Sequence, residues 1–213
     1  MKLYWFNSPN PQKVRLALAE LGTPCEVELV DLFKGQNRTP GYLALNPSGR
    51  APTLDDNGFI LWESNAIVAY LGDRERRLWP LDARGRADAL RWMFFQSQHV
   101  TDALTGRVFN MVAKAKLGLP PDHDAIKRSN EAIPGVLALL EGHLAKSRWM
   151  LGDEFSLVDC CYLPGLNALA MTHYHLKDYP KVSAYLANGA ERPSWQAAGM
   201  IDFERAFAIP KTD

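Results

Sequence analysis

The sequence predicts two domains, a small α/β domain at the N-terminus followed by an all-helical domain. Residues 1–72 show the pattern β-α-β-α-β-β-α, whereas no convincing strand follows them. The 213 residues leave room for one large domain or two small ones, and 47% hydrophobic residues is typical of a globular protein. We therefore predict a first domain at residues 1–76, a linker at 77–84 and a second domain at 85–213.

The first predicted feature is a βαβ unit. Lys2–Phe6 and Glu26–Leu32 are rich in residues that favour strands, and Pro11–Gly22 between them carries the signals of a helix. Asn10 is a candidate N-cap, proline suits the first helical position, and the glycine can adopt the left-handed conformation that ends a helix.

A helix–hairpin–helix sequence completes the first domain. Pro40–Leu45 is a short helical candidate, and two short strands follow at Pro52–Asp55 and Phe59–Trp62. The turn Asp56-Asn57-Gly58 joins them, because Asn-Gly readily adopts the positive φ angles of a tight hairpin. The segment Glu63–Leu71 is then predicted to be a helix.

The second domain is predicted to be helical throughout. Apolar residues recur every three or four positions from Leu90 to Ala115, which indicates one long helix with a buried stripe. A second long helix extends from Ile126 to Leu144, and we expect a kink at Pro134. Three shorter helices are expected at Ser156–Thr172, Pro180–Asn188 and Pro193–Met200.

Composition excludes several classes of function. The chain has 24 basic and 24 acidic residues, so bulk charge favours neither nucleic acid nor an anionic membrane as a partner. The start of the sequence resembles a strand rather than a secretion signal, and no uncharged stretch is long enough to span a bilayer. The three cysteines are odd in number and lack a CxxC pair, which favours a reducing cytoplasm.

The chain resembles the cytosolic glutathione S-transferase superfamily in four motifs that occur in the same order, and in a later Arg-Pro-Ser-Trp at residues 192–195. The resemblance covers nearly the whole chain. The motifs are SPNPQKVRLALAELG at residues 8–22, NPSGRAPTL at 46–54, ESNAIVAYL at 63–71 and GDEFSLVD at 152–159. In the last, Ser156 and Asp159 form a predicted capping box. The chain most resembles the serine-type, theta-like or delta-like bacterial members.

The resemblance implies a thioredoxin-like N-terminal domain that binds glutathione and an all-α C-terminal domain that helps to bind a small hydrophobic electrophile. It further implies a cytoplasmic homodimer with a role in detoxification, with glutathione as co-substrate and no tightly bound cofactor. Two alternatives remain open. One is a non-catalytic glutathione-binding or protein-interaction module, and the other is a glutathione-dependent peroxidase or disulfide reductase, for which residues 8–12 offer no cysteine.

Five residues are expected to bind glutathione by resemblance to the family. A cis Pro52 would let the backbone of Ala51 pair with the cysteinyl part of glutathione like an added strand, although a trans proline at an edge strand is an alternative. Glu63 and Ser64 open a helix that suits the γ-glutamyl carboxylate, and simple N-capping is the alternative role of Ser64. Arg50 is placed to pair with the glycyl carboxylate, unless it is merely solvated.

The glycyl end of the site departs from the family pattern. The family often carries His-Lys where this chain has Asn37 and Arg38, and Pro-Glu-Phe where it has Pro40-Gly41-Tyr42. The amide of Asn37 could donate a hydrogen bond and Arg38 could supply a charge.

The long helix supplies further candidates. Gln98 and Asp102 could reach the α-amino group of glutathione in the neighbouring subunit, as residues on this helix do in relatives. Phe6, Arg107 and Phe109 are candidates for the electrophile pocket, although such aromatic residues are more often part of a core.

Catalysis requires a group that stabilises the thiolate of glutathione, because a free thiol has a pKa of about 8.5 and is mostly protonated at neutral pH. Ser8 lies just ahead of the first helix, where its hydroxyl and the positive helix end converge. Asn10 and Tyr4 are the alternative donors. No metal is expected, because the five histidines show no metal-binding spacing.

Overall fold

The computed structural model describes residues 1–200, so the last part of the predicted second domain lies outside the described residues. The chain begins with a four-stranded sheet in the order β2-β1-β3-β4. β1 pairs with β2 in parallel, and the other neighbours are antiparallel. The strands are β1 at Lys2–Trp5, β2 at Glu26–Leu29, β3 at Thr53–Asp56 and β4 at Phe59–Trp62.

Three helices accompany this sheet, namely α1 at Pro9–Leu21, α2 at Pro40–Leu45 and α3 at Ser64–Glu75. α1 and α3 pack against each other. Leu3 and Leu54 of the sheet belong to the same buried cluster as Val14 and Ile67 of these helices, and none of the four is exposed to solvent. The arrangement is the predicted thioredoxin-like domain.

After α3, the regular elements of the described residues are all helices. The helices are α4 at Ala83–Phe95, α5 at Thr101–Val108, α6 at His123–Leu144, α7 at Leu157–Ala170, α8 at Pro180–Ala190 and α9 at Pro193–Ala197. The π-helical segment Gln96–Val100 joins α4 to α5, and a second π-helical segment, Phe109–Lys114, continues the helix beyond α5, which confirms the predicted long helix. Among residues 1–200 no helix is both long and apolar enough to cross a membrane.

Two predicted boundaries differ from the structure. The helix α1 begins at Pro9 with Ser8 as its N-cap, so the prediction that Asn10 is the cap was wrong. Both prolines of Pro9-Asn10-Pro11 suit a first turn, and the earlier one starts the helix. The helix α4 begins within the predicted linker because the Asp82 carboxylate accepts hydrogen bonds from the backbone N–H groups of Arg84 and Gly85, at 3.0 and 2.9 Å.

Pro134 lies inside α6, which continues on both sides of it. The kink expected there and the exact division into domains remain predictions. The hairpin turn is confirmed, because Asn57 and Gly58 have φ angles of 54° and 92°, and the N–H of Gly58 donates to the Asp55 carboxylate at 2.7 Å.

The buried helix α7 joins the two parts of the fold, because it packs against α1 and α3 of the first part and against α4, α5 and α8 of the second. Its N-terminus carries the predicted capping box of Ser156 and Asp159. The Asp159 carboxylate is fully buried and accepts hydrogen bonds from the backbone N–H groups of Met150 and Ser156, and from the hydroxyls of Ser156 and Tyr185, at 2.8 to 2.9 Å.

Replacing Asp159 should therefore harm folding more than chemistry. In Asp159→Ala the N–H groups of Met150 and Ser156 lose a buried acceptor, and each unsatisfied group costs about 1–3 kcal/mol. We expect the free energy of unfolding, measured by urea titration, to fall by about 3 kcal/mol or more. The turnover of the folded fraction should stay close to that of the parent. A variant that unfolds like the parent but has lost turnover would contradict this structural role.

Candidate active site

The strand register brings three separate segments together at one edge of the sheet, namely the edge where β1 and β4 end and β3 begins. β1 ends at Trp5 and leads into Ser8, while Thr53 at the start of β3 pairs with Tyr4 near that end. Thr53 also pairs with Trp62, the last residue of β4, which leads into Glu63 and α3. The candidate residues around positions 8, 52 and 64 therefore meet at this edge.

Ser8 occupies the N-cap of α1 in an extended conformation, with φ −148° and ψ 163°. Its backbone carbonyl accepts from the N–H of Gln12 at 3.2 Å, but its side chain makes no capping bond to the helix. The first turn of α1 carries no acidic residue. The hydroxyl is thus available beside the positive end of the helix dipole. Asn10 lies within the first turn and is exposed.

Tyr4, the other alternative donor, is a partly buried residue of β1. Its ring makes an edge-on contact with the ring of Tyr42 at a centroid distance of 6.1 Å. The ammonium of Lys2 lies 5.3 Å from the centre of the Tyr4 ring. These contacts favour a packing role for Tyr4.

The segment before β3 is fixed by side chains that sequence reasoning did not single out. The Tyr42 hydroxyl and the Asn46 amide both donate to the carbonyl oxygen of Arg50, at 2.6 and 2.8 Å. Both side chains also contact the hydroxyl of Thr53 at 3.0 Å. The Ala51-Pro52 peptide bond between these anchors is cis, as predicted. The Arg50 side chain itself is exposed.

Asn37 and Arg38 lie beside this segment. Asn37 is buried, and its amide donates to the carbonyl of Gly49 at 2.6 Å, so it holds the loop in addition to any contact with a ligand. Arg38 is exposed, and its guanidinium lies so close to Gly49 that a Cβ there would be 2.9 Å from Nη1. Both residues therefore flank the turn that precedes Arg50.

Glu63 and Ser64 form the start of α3. Glu63 has a φ of 72°, which is rare for a residue with a side chain, and such conformations are concentrated at functional sites. It occupies the N-cap without a side-chain capping bond, so simple capping by Ser64 is not what the structure shows. Ser64 is the first helical residue and is buried, whereas Glu63 is exposed.

The structure adds a buried cation that sequence reasoning missed. Lys13 is only 2% exposed, and its ammonium donates to Gln96 at 2.7 Å and to Asn65 at 3.1 Å. Burial lowers the pKa of Lys13 to about 8. A signal was present, because Lys13 stands four and eight residues before the buried Ala17 and Leu21 on the inner face of α1.

The candidates on the long helix differ in their surroundings. Gln98 and Asp102 are exposed, as a role at a subunit interface requires. Phe109 is 50% exposed, and Phe6 makes an edge-on contact with Phe33 at 5.0 Å.

Arg107 is held by hydrogen bonds to other parts of the helical region. Its guanidinium donates to the hydroxyl and the carbonyl of Thr172 at 2.7 and 2.8 Å, and to Asn130 at 3.0 Å. It also lies 5.4 Å from the ring of Tyr174. Arg107 thus joins α5 to α6 and to the turn that follows α7. The sequence could not indicate this, because Thr172 is 65 residues away.

The cysteines are poor nucleophiles. Burial raises the pKa of Cys161 to about 12 and the pKa of Cys160 well above its usual value. Burial also raises the pKa of the partly buried Cys25. None of the three is in a disulfide. Within residues 1–200 no group of three or more His, Cys, Asp or Glu side chains is arranged to hold a metal.

Comparison with known proteins identifies the family. The family models for the N-terminal and C-terminal domains of glutathione S-transferase match residues 7–74 and 124–188. The chain is 35% identical over 202 residues to glutathione S-transferase GstB of Escherichia coli, covering 92% of this chain and 95% of that one. It is 33% identical over 203 residues to glutathione S-transferase 3 of Zea mays, covering 92% and 91%.

A solved structure agrees with these relatives. The glutathione transferase of Burkholderia graminis, with two glutathione molecules bound per subunit, superposes with a TM-score of 0.83 at 28% identity, covering 100% of this chain and 89% of the other. The chain therefore belongs to the glutathione S-transferase superfamily, as its motifs predicted. The serine-type, theta-like or delta-like subtype remains a prediction.

The turn at Gly49 offers a test of the site's geometry. Gly49 has a φ of 60°, and a Cβ there would lie 2.9 Å from Arg38 Nη1 and 3.1 Å from the carbonyl oxygen of Asn37. Gly49→Ala should lower the free energy of unfolding by about 1–2 kcal/mol because left-handed backbone is unfavourable for alanine. It should also weaken glutathione binding, measured by calorimetry. Gly58→Ala, also at positive φ but with open space around it, is the matched control. Equal glutathione affinity in the two variants would contradict the role of the Gly49 turn.

Proposed function

We propose that the protein activates the thiol of glutathione as a thiolate, which then attacks small hydrophobic electrophiles. The observation that supports this most strongly is the position of Ser8. Its hydroxyl makes no capping hydrogen bond and lies at the N-terminus of α1, near the Ala51-Pro52 segment. A hydroxyl that donates to sulfur and a positive helix end both favour the charged form of the thiol.

The rest of glutathione would lie along the same edge of the sheet. The backbone of Ala51 pairs with the cysteinyl part, which the fixed carbonyl of Arg50 and the cis Pro52 support. The start of α3 at Glu63 and Ser64 receives the γ-glutamyl group, since helix N-termini bind anions.

The glycyl carboxylate would meet positive charge at the other end of the ligand. Arg50 and Arg38 are both exposed next to the Gly49 turn, so either guanidinium is free to reach a carboxylate. Asn37 contributes mainly by holding that turn through Gly49.

The electrophile would bind between the Ser8 loop and the long helix. Phe6 and the half-exposed Phe109 supply apolar surface. Arg107 is the weakest of the three proposed pocket residues, because its guanidinium already donates three hydrogen bonds. In this proposal glutathione is a co-substrate, and no tightly bound cofactor takes part.

We also propose a cytoplasmic homodimer. Phe94 is 65% exposed and Leu90 39% exposed on α4, and Phe59 and Trp62 on β4 are 52% and 41% exposed. Large apolar side chains exposed on both parts of the fold suit an interface between two copies. The three unpaired cysteines suit a reducing compartment.

The dimer has a direct test. Light scattering at micromolar concentration should give about twice 23.9 kDa. Phe94→Glu should shift the mass towards the monomer, because it places a charge within the proposed apolar interface. Phe109→Glu, a half-exposed phenylalanine outside that interface, is the matched control and should leave the mass unchanged. A parent that is monomeric would contradict both the dimer and the role of Gln98 or Asp102 in the neighbouring site.

The catalytic role of Ser8 is tested with glutathione and a panel of haloaromatics, epoxides, isothiocyanates and peroxides. Removal of one hydrogen bond to a charged acceptor costs about 1.5–3 kcal/mol, so Ser8→Ala should raise the pKa of bound glutathione by about one to two units. Turnover near pH 7 should fall about 10-fold to 100-fold, and the loss should shrink as pH rises and solvent deprotonates the thiol. Affinity for glutathione should remain.

Asn10→Ala is the matched comparison, because Asn10 stands in the same helical turn but is exposed. Its pH profile and its thiolate absorbance should follow those of the parent. A collapsed profile in Asn10→Ala beside an unchanged one in Ser8→Ala would transfer the role to Asn10. A parent that binds glutathione but acts on no electrophile in the panel would favour a non-catalytic module.

A further inference from the structure

A buried polar cluster joins the two parts of the fold directly behind the start of α3. Lys13 of α1 donates to Asn65 of α3 and to Gln96, the first residue of the π-helical segment after α4. Asn65 in turn donates to the Gln96 side chain at 3.1 Å and to the carbonyl of Met93 at 2.8 Å. Gln96 completes the cluster by donating to the Thr101 hydroxyl at 2.9 Å.

The charge of Lys13 is not neutralised within this cluster. Its two side-chain partners are uncharged amides, and among residues 1–200 no carboxylate lies within 4.0 Å of its ammonium. Burial lowers the pKa of Lys13, and the negative charge of the more distant Glu63 only partly opposes this shift. Removing an ammonium from water is unfavourable by several kcal/mol unless an opposite charge compensates it.

The position of the cluster indicates where a compensating negative charge would come from. Asn65 is the second residue of α3 and directly follows Ser64, so the ammonium lies behind the first turn of this helix. The helix dipole is positive at the same point. If the cluster only linked α1, α3 and the long helix, neutral side chains would be sufficient. Burying a hydrogen-bonded neutral group costs less free energy than burying a charge.

We propose that Lys13 is a positioning residue whose buried positive charge stabilises the α-carboxylate of glutathione at the start of α3. The inference rests on the proposed function, since it names a further residue for the same ligand. Lys13 acts through Asn65 and through its electric field rather than by direct contact with the ligand. Binding of the carboxylate adds a negative charge near Lys13, whose ammonium has no ion-pair partner within 4.0 Å among residues 1–200.

The sharpest test neutralises the charge without removing the cluster. In Gln96→Glu the new carboxylate can accept the hydrogen bonds of Lys13 and Asn65, and its second oxygen can accept from the Thr101 hydroxyl. S-methylglutathione is the probe, because its blocked thiol makes binding independent of Ser8. Calorimetry should show about 10-fold weaker binding, which corresponds to about 1.4 kcal/mol. The melting temperature should stay equal or rise, since a buried ion pair replaces a lone charge.

A second pair of variants separates charge from shape. Lys13→Met should weaken S-methylglutathione binding about as much as Gln96→Glu does, and Lys13→Arg should restore most of the affinity because it keeps the charge. Lys127→Met, which removes an exposed lysine of α6, is the control for loss of a charge elsewhere and should bind like the parent.

A modified ligand locates the effect on the α-carboxylate. In S-methylglutathione whose γ-glutamyl residue is replaced by 4-aminobutyryl, the α-carboxylate is missing. Gln96→Glu should not weaken the binding of this analogue, because the group that Lys13 stabilises is absent. If Gln96→Glu lost equal affinity for both ligands, the inference would be overturned. It would also be overturned if Gln96→Glu and Lys13→Met bound S-methylglutathione as tightly as the parent does. A parent that does not bind S-methylglutathione at all would overturn the proposed function together with this inference.

Discussion

The antiparallel pairing of β3 with β1 is the constraint on which the candidate site depends. Thr53 is paired with Tyr4 on one side and with Trp62 on the other, and all three lie at the same edge of the sheet. Because successive residues of a strand point to opposite faces, a shift of one residue would exchange its two faces. The segments that carry Ser8 and Ser64 would then no longer meet around Pro52.

Several polar side chains maintain this register from outside the strands. Asn46 and Tyr42 both bind the carbonyl of Arg50 and the hydroxyl of Thr53, so the chain enters β3 in a fixed position. Asn37 fixes the preceding turn in a similar way, because its amide donates to the carbonyl of Gly49. The exposed arginines nearby are thereby carried on a rigid loop, which reduces the entropy lost when a ligand is bound.

The sequence predicted those features that have a local signature. Asn57-Gly58, the capping box of Asp159 and the spacing of the long helix each depend on neighbouring residues, and the structure confirms all three. The start of α1 was misplaced because two prolines offered equivalent first turns. The cluster of Lys13 could not be read from the sequence, because its partners lie 52 and 83 residues away.

The burial of two cysteines has a consequence for the proposed reaction with electrophiles. Cys160 and Cys161 lie inside α7 with no exposure to solvent, and their raised pKa values keep them as thiols at neutral pH. Thiolates rather than thiols are the nucleophiles that electrophiles modify. In the proposed reaction glutathione supplies the reactive sulfur, while the buried sulfurs of Cys160 and Cys161 stay protonated and are therefore protected against alkylation by the electrophile.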